Sequence, residues 1–355
     1  MKLGLVGLPN AGKTTLFNAL TQAGAKVAPY PFTTIDPNVG YAILKDERLD
    51  KIGQIVESEK ILYPSIRVVD IAGLVEGAHK GEGLGNQFLS HIRGMDALIL
   101  VLDAFSDNAN PERDFSILWL ELALSDMELL QRRRDKLAKE MKGKRERETE
   151  VKYEIIEKAI DYLGNGDSLK DKMSEEEINI IDGYELLTLK AYIVVFNIKP
   201  EDIVYGADSG IIGGSINEKV KSSIVMSCLI EEEMTGLNGD EGEELKKLYS
   251  MKETEIDKLI NLGLKALNLI VFYTTEGGII QGWTIKEGSK AREAASIIHT
   301  DMAKGFIKAE VVNYNELVRI GDLKKVKEVG KMRIEGADYT LEDGDLLKFI
   351  FKVKS

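Results

Sequence analysis

Gly7-Leu8-Pro9-Asn10-Ala11-Gly12-Lys13-Thr14 has the form G-x-x-x-x-G-K-[ST] and comes directly after the apolar residues 3–6. Because a helix-compatible stretch, residues 15–20, follows it, the pattern is typical of a phosphate-binding loop between a strand and a helix. Its glycines allow the tight turn in which successive backbone N–H groups surround a phosphate. Lys13 is predicted to reach the β- and γ-phosphate oxygens, and Thr14 to ligate Mg²⁺. The loop predicts that the chain binds a nucleoside triphosphate.

A second motif, Asp70-Ile71-Ala72-Gly73, stands at the end of the apolar stretch 66–70. The Asp70 carboxylate is expected to support Mg²⁺, and the Gly73 N–H to contact the γ-phosphate. Between the two motifs, residues 30–37 form a proline-bounded loop in which Thr34 is the candidate for a further Mg²⁺ contact. Such a loop orders with the γ-phosphate and relaxes after hydrolysis, as in nucleotide switches.

Two positions depart from the pattern of ordinary GTPases. Leu74 stands where Ras-type enzymes place a glutamine that orients the attacking water. In the segment Asn197-Ile198-Lys199-Pro200, Pro200 stands where a guanine-reading aspartate is expected, and Glu201 comes one place later. A site built to pair with guanine rejects an analogue by about 10⁴-fold or more, so loss of the carboxylate favours ATP over GTP.

Composition and charge narrow the class of protein. The 355 residues carry a net charge of −12, with 44% hydrophobic and 30% charged residues, typical of a globular protein with several domains. No apolar run approaches the ~18 residues of a membrane span, so we expect a cytoplasmic protein without a membrane segment. We also expect a monomer. The one cysteine, Cys228, excludes an intramolecular disulfide, and three histidines are too few for a metal cluster.

Residues 131–148 hold nine basic and four acidic side chains, against the acidic balance of the whole chain. Two interpretations stay open at this point: the solvated face of a charged helix, or a patch that contacts RNA or the ribosome.

The order of apolar patterns predicts an α/β fold with a mostly parallel sheet, of the P-loop NTPase type. Helical spacing without strand-like runs predicts an inserted coiled-coil hairpin, in which Ser174 starts a helix with a capping box. In the C-terminal part, several predicted strands surround one predicted helix, a pattern typical of a small α+β module. The predicted limits are residues 1–113 and 190–266 for the nucleotide-binding domain, 114–189 for the helical domain, and 267–355 for the C-terminal module.

These motifs together resemble the YchF group of Obg-related P-loop NTPases, also called Obg-like ATPases. The resemblance covers essentially the whole chain and rests on Phe32-Thr33-Thr34-Ile35-Asp36-Pro37-Asn38, on Asp70 to Val75, on Gly81-Glu82-Gly83-Leu84-Gly85-Asn86-Gln87-Phe88-Leu89, and on C-terminal stretches similar to a TGS domain of the β-grasp type. It implies ATP with Mg²⁺ as ligands and association with the ribosome. The TGS-like domain is a further candidate for RNA contact.

The resemblance also implies roles for single residues. Asn10, Ala11, Gly12, Lys13, Thr14 and Thr15 would surround the phosphates, and Ile198 after Asn197 would meet the adenine. Ser227 is assigned to the same nucleotide site, because it ends a strand whose following loop is expected near the base. Asn10 occupies a position that accompanies potassium stimulation in related NTPases, which makes K⁺ a candidate cofactor.

The hydrolytic residue stays unassigned. Many bacterial members carry a histidine after the strand that matches 97–103, whereas residues 105–111 contain none. Besides a slow ATPase switch, three alternatives remain at this point: an Obg-type GTPase, a ribosome- or RNA-binding module that uses ATP as a structural ligand, and an RNA-binding adaptor.

Overall fold

The computed structural model describes residues 1–25, 38–71, 84–143, 146–204, 220, 222–237, 239–249 and 254–352. The strands in chain order are β1 (Lys2–Val6), β2 (Val39–Ile43), β3 (Lys60–Leu62), β4 (Ser65–Asp70), β5 (Ala97–Asp103), β6 (Ala191–Asn197), β7 (Ser223–Met226), β8 (Leu269–Glu276), β9 (Ile279–Lys286), β10 (Phe306–Asn313), β11 (Arg333–Glu335) and β12 (Asp345–Phe351). The helices are α1 (Lys13–Ala25), α2 (Glu47–Ile55), α3 (Leu84–Arg93), α4 (Pro111–Gly143), α5 (Arg147–Gly164), α6 (Leu169–Lys172), α7 (Glu175–Ile181), α8 (Pro200–Val204), α9 (Cys228–Gly236), α10 (Gly239–Leu248), α11 (Glu255–Ala266), α12 (Ala291–Ile298), α13 (Thr300–Lys304), α14 (Tyr314–Ile320) and α15 (Leu323–Glu328).

The first sheet has six strands in the order β2-β4-β1-β5-β6-β7, and β4, β1, β5, β6 and β7 run parallel to their neighbours. Six of the seven residues of β5 are buried, which explains their continuously apolar sequence, since a central parallel strand is covered on both faces. The parallel order places the ends of β1, β4, β5, β6 and β7 at one edge, where ligands of open α/β sheets bind. The predicted α/β class is confirmed.

A helical insertion, formed by α4 to α7, separates β5 from β6. Its apolar side chains make a core of their own, which includes Leu130 of α4, Ile156 of α5 and Ile181 of α7. The long helix α4 packs along α5, as the spacing of apolar residues predicts. Ser174 and Glu177 form a capping box at the start of α7, so that prediction is confirmed.

The second sheet has the order β11-β10-β12-β8-β9-β3. Its C-terminal strands pair antiparallel, except that β12 runs parallel to β8. Its last strand, β3, comes from the N-terminal part of the chain and pairs parallel with β9, from Lys60 opposite Ile279 to Leu62 opposite Gln281.

Contacts divide the chain into two compact units, one with Met1–Ala19 and Arg67–Glu255, the other with Tyr41–Ile66 and Ile256–Ser355. The limits of these units are not the predicted domain limits, which stay a prediction. Residues 41–66 belong to the second unit because β3 completes its sheet, α11 begins that unit instead of ending the first, and the helical insertion belongs to the first unit. In the part of the chain that the structure describes, no helix combines the length and the apolar character of a membrane span.

Candidate nucleotide-binding site

The loop between β1 and α1 has a backbone that only certain residues tolerate. Asn10 and Gly12 have φ angles of 66° and 93°, in the left-handed region, where asparagine and glycine are the usual residues. A Cβ atom at Gly12 would lie 2.2 Å from Asn197 Nδ2, and one at Gly7 would lie 2.5 Å from the carbonyl oxygen of Val101. Close approach therefore requires glycine at both motif positions, and the backbone conformation requires it at Gly12 as well.

Lys13, the first residue of α1, is only 8% exposed. Its Nζ donates a hydrogen bond of 2.8 Å to the carbonyl oxygen of Leu8, which folds the side chain back over its own loop. Burial lowers the pKa of Lys13, and the charge of Asp70 opposes that shift. An ammonium group held in this way faces the concave side of the loop, where a phosphate chain would bring negative charge.

Thr14 and Asp70 meet at the carboxyl edge of the first sheet, where the Thr14 Oγ1 donates a hydrogen bond of 3.0 Å to Asp70 Oδ2. A hydroxyl and one carboxylate are hard oxygen ligands, the set that suits Mg²⁺ when phosphate and water complete the shell. Among the described residues, no cluster of three or more His, Cys, Asp or Glu side chains forms an all-protein metal site. The other two predicted members of this group, Thr34 and Gly73, lie outside the described residues.

Asn197, at the end of β6, braces the loop. Its Nδ2 donates to the carbonyl oxygen of Ala11 at 3.1 Å, and its Oδ1 accepts the N–H of Cys228 at 3.0 Å. One buried amide therefore joins the phosphate loop, β6 and the start of α9. The sequence pattern predicted a nucleotide contact for Asn197, but it did not predict this brace.

A cavity of about 480 Å³ connects the phosphate loop with the ends of β5 and β6. Its lining contains seven of the predicted phosphate and base residues, Asn10, Gly12, Lys13, Thr14, Thr15, Asn197 and Ile198. The other lining residues are Phe105, Lys199, Pro200 and Leu229. Two predicted residues, Ala11 and Ser227, are each 1% exposed and are not part of this lining. The Ser227 Oγ is buried, and none of the described residues offers it a hydrogen-bond partner.

Phe105 and Leu229 are lining residues that the sequence reasoning missed. Phe105 is presented by a loop in which Asp103 accepts the N–H groups of Phe105 and Ser106, each at 3.0 Å. Leu229 is 48% exposed on the first turn of α9. Both follow the carboxyl ends of parallel strands, and that position was the signal that could have identified them.

The end of the cavity at α8 has a proline for a structural reason. Pro200 is the first residue of α8, a position where its fixed φ and missing N–H cost nothing. Glu201 follows it as an exposed residue of the same turn, and the Lys199 Nζ pairs with Asp107 Oδ1 at 2.8 Å. Among the described residues, none of those that line this cavity carries a carboxylate.

Comparison with known proteins gives the family. The protein "Ribosome-binding ATPase YchF" of Bacillus subtilis (strain 168) is 38% identical over 363 residues, which cover 99% of each chain. The protein of the same name from Escherichia coli O157:H7 is 37% identical over 365 residues, again 99% of each chain.

The chain belongs to the YchF family. Residues 269–352 match the model of the YchF GTPase C-terminal region, described as a protein of unknown function (DUF933), and residues 2–142 match a model described as a 50S ribosome-binding GTPase. The solved structure of the Schizosaccharomyces pombe YchF GTPase is 32% identical, with a TM-score of 0.85 over 99% of this chain and 97% of that one. The YchF resemblance seen in the sequence is thereby confirmed.

Proposed function

We propose that this YchF-family chain is a molecular switch in the cytoplasm that binds ATP with Mg²⁺, hydrolyses it slowly and acts on the ribosome. The observation that carries the choice of base is the cavity lining, in which Ile198, Lys199 and Pro200 stand beside the base position without a carboxylate. Guanine recognition depends on such a carboxylate, whereas an apolar wall accepts adenine. The curated relatives named ribosome-binding ATPases support the reaction and the partner.

In this proposal the phosphate end holds the nucleotide by charge. Lys13 leaves the Leu8 carbonyl to contact the β- and γ-phosphates, and the backbone N–H groups of the loop surround the β-phosphate. The Thr14 hydroxyl and the Asp70 carboxylate hold Mg²⁺, which neutralises the charge of the phosphates. Thr34 and Gly73 complete the contacts to the metal and the γ-phosphate, and Asn10 is the candidate for K⁺.

In this proposal the base end of the cavity selects the base by shape. Phe105, Ile198 and Leu229 offer apolar surface to the faces of a purine. Asn197 holds this surface and the phosphate loop in register through its two hydrogen bonds. The Ser227 Oγ is buried and unsatisfied among the described residues, and it would contact the edge of the base only after ligand binding opens the cavity towards it.

Competition binding tests the preference for ATP. A fluorescent ATP analogue with Mg²⁺ is displaced by unlabelled ATP and, separately, by unlabelled GTP. We expect ATP to compete at least about tenfold better, a difference of 1.4 kcal/mol. Lys13→Ala should abolish binding of both nucleotides. If GTP competes equally or better, the chain is an Obg-type GTPase.

Single-turnover hydrolysis, with and without purified ribosomes, tests the switch. A measurable rate that rises with ribosomes supports the proposal, whereas no rate in either condition identifies a module that uses ATP as a structural ligand.

Exposed Arg132, Lys139 and Lys142 on α4 support an RNA contact through residues 131–148. Arg133 and Arg134 are already engaged, Arg133 over the Tyr184 ring and Arg134 with Asp135.

Lys13→Ala and a charge reversal of Arg132, Lys139 and Lys142 separate the switch from an RNA-binding adaptor. For a switch, Lys13→Ala should remove the effect of nucleotide on ribosome binding. An adaptor would lose binding with the charge reversal alone and would be indifferent to Lys13→Ala.

A further inference from the structure

Helix α4 passes from one hydrophobic core into another. Its first part contributes Leu118 and Leu122 to the core beside the first sheet, together with Ile92 of α3. From Ala123 onward its buried apolar residues belong to the core of the helical insertion. The crossing between the two cores is therefore confined to about one turn of a continuous helix.

A buried carboxylate occupies this crossing. Asp126 is 0% exposed, and its oxygens accept hydrogen bonds from Leu187 N at 3.0 Å, Thr188 N at 2.8 Å and Thr188 Oγ1 at 2.9 Å. Leu187 and Thr188 lie in the turn by which the chain returns from the insertion to β6. Asp126 thus joins α4, which leads into the insertion, to the turn that leads back to β6, at the boundary between the two cores.

Arg93, the last residue of α3, closes the arrangement from the side of the nucleotide site. Its guanidinium lies 3.1 Å from Asp126 Oδ1 and donates to Ser125 Oγ at 2.9 Å and to the carbonyl oxygen of Glu185 at 3.0 Å. One side chain on α3 therefore holds α4 and the returning chain together. We call Arg93, Ser125, Asp126 and Thr188 the insertion joint.

The joint is connected with the nucleotide site through α3. This helix follows the Asp70-x-x-Gly73 motif in the chain, and its Leu89 and Ile92 pack in the same core as Ile71. A partly buried ion pair with shared hydrogen bonds has a defined geometry. A displacement of α3 is therefore passed to both chains of the insertion together.

We propose that Arg93 is a positioning residue that transmits the nucleotide state from α3 to the helical insertion, so that the insertion takes a different orientation relative to the first sheet with ATP and with ADP. The inference rests on the proposed ATP switch. In this proposal a ribosomal partner binds the insertion differently in its two orientations. Arg93 then couples the nucleotide site to the surface of the insertion that the partner binds.

A pair of spin labels tests the proposal in the full chain. Glu233→Cys and Lys142→Cys place labels on exposed positions of α9, the helix that follows β7 of the first sheet, and near the far end of α4, while the native Cys228 is fully buried and escapes labelling. Distances are measured with Mg²⁺ and a non-hydrolysable ATP analogue, and again with Mg²⁺ and ADP. We expect the distance distribution to differ between the two nucleotides, and Arg93→Met to reduce this difference to less than half.

Controls separate coupling from simple stabilisation. Arg113→Met removes an exposed arginine of the first turn of α4 and should retain the full difference. Affinity of the Arg93→Met protein for the ATP analogue should stay within about threefold of the parent, because Arg93 is not part of the cavity lining. If Arg93→Met does not fold, Arg93→Lys and Asp126→Asn are used, and each should give a reduced difference.

A parent protein that binds both nucleotides without any change in distance overturns the inference but leaves the proposed ATP binding intact. A full difference in the Arg93 variants overturns it as well, since the joint would then be a structural staple. Failure of the parent to bind ATP refutes the proposed function, and the inference falls with it.

Discussion

At the scale of single residues, Gly12 carries two constraints that can be separated. Its φ of 93° is unfavourable for any residue with a side chain, and an added Cβ would collide with Asn197 Nδ2. Gly166 has a similar φ of 77°, but nothing lies within 4 Å of its Cβ position. A comparison of the two glycines therefore separates the effect of the collision from the effect of backbone strain.

We expect Gly12→Ala to reduce ATP affinity at least about tenfold, because relief of the collision moves the brace of the phosphate loop. Gly166→Ala should cost about 1 kcal/mol of stability through its backbone strain and leave ATP affinity unchanged. Calorimetric titration with ATP and Mg²⁺ measures the affinity of both variants, and urea unfolding measures their stability. Equal losses of ATP affinity in the two variants would contradict the inference that the collision with Asn197 weakens ATP binding.

Asn197→Ala should act on stability and on binding together. It removes two buried hydrogen bonds and leaves the Cys228 N–H without its acceptor, at a cost of about 1–3 kcal/mol. The expected result is a lower midpoint in urea unfolding and weaker ATP binding. Asn108→Ala, at an exposed position outside the cavity lining, is the control and should change neither.

The site residues show what a sequence can predict at this scale. Lys13, Thr14 and Asp70 were predicted because a motif fixes both their identity and their chemistry. The brace by Asn197 was missed because it joins residues 186 positions apart, which no local pattern reveals.

At the scale of elements, α2 begins with a polar cluster inside the second unit. Asp46 caps the helix by accepting the N–H of Arg48, and its carboxylate also binds the Arg48 guanidinium and the Tyr273 hydroxyl. Burial alone would raise the pKa of Asp46, but the hydrogen bonds from Arg48 and Tyr273 outweigh it and hold the pKa below its ordinary value.

The lowered pKa gives a direction for the pH dependence of stability. Since the folded pKa lies below the unfolded value of about 3.9, the contribution of Asp46 is fully present above about pH 5 and is lost as the pH falls through the folded pKa. Asp46→Asn should reduce the stability of the second unit at pH 7 and remove this component of its acid sensitivity. The exposed Asp338→Asn is the control and should do neither.

Each unit contains one of the two tryptophans, Trp119 in the first and Trp283 in the second. Urea unfolding of a Trp119→Phe background, followed by the fluorescence of Trp283 between about pH 3 and 7, therefore reports on the second unit alone. An Asp46→Asn protein with the parent's acid sensitivity would contradict the role given to this carboxylate.

Sequence patterns predicted the central strand of the first sheet, but they did not predict the edge of the second sheet. Strand β5 covers residues 97–103, as the sequence predicts, because a continuous apolar run marks it. Helix α2 and the three-residue strand β3 were missed. Lys60-Ile61-Leu62 is too short to show alternation, and its partner β9 lies far away in the chain.

At the scale of the whole molecule, the second unit joins residues 41–66 to residues 256–355, two parts of the chain that lie far apart in sequence. Gly53 of α2 approaches Ile61 and Ile280, and Gly282 of β9 approaches Pro64 and Leu49, so the two parts interlock through close contacts. Leu49 and Ile52 of α2 are fully buried. The C-terminal residues alone therefore lack a strand and a covering helix.

A fragment of residues 256–355 should consequently unfold without a sharp transition. The same fragment preceded by residues 41–66 on a flexible linker should unfold cooperatively, since β3 and α2 are restored. Thermal denaturation followed by circular dichroism compares the two. A cooperative transition of equal midpoint in the shorter fragment would show that β3 and α2 contribute no stability.

The pairing of β3 with β9 also sets an order of events during synthesis. Leu62 leaves the ribosome about 220 residues before its partner Gln281, an interval of roughly 10–40 s at 5–20 residues per second. Through that time residues 41–66 keep their apolar side chains without their final neighbours, while the first sheet can already close around β5 and β6. The last part of the nascent chain thus completes a structure that its first part began.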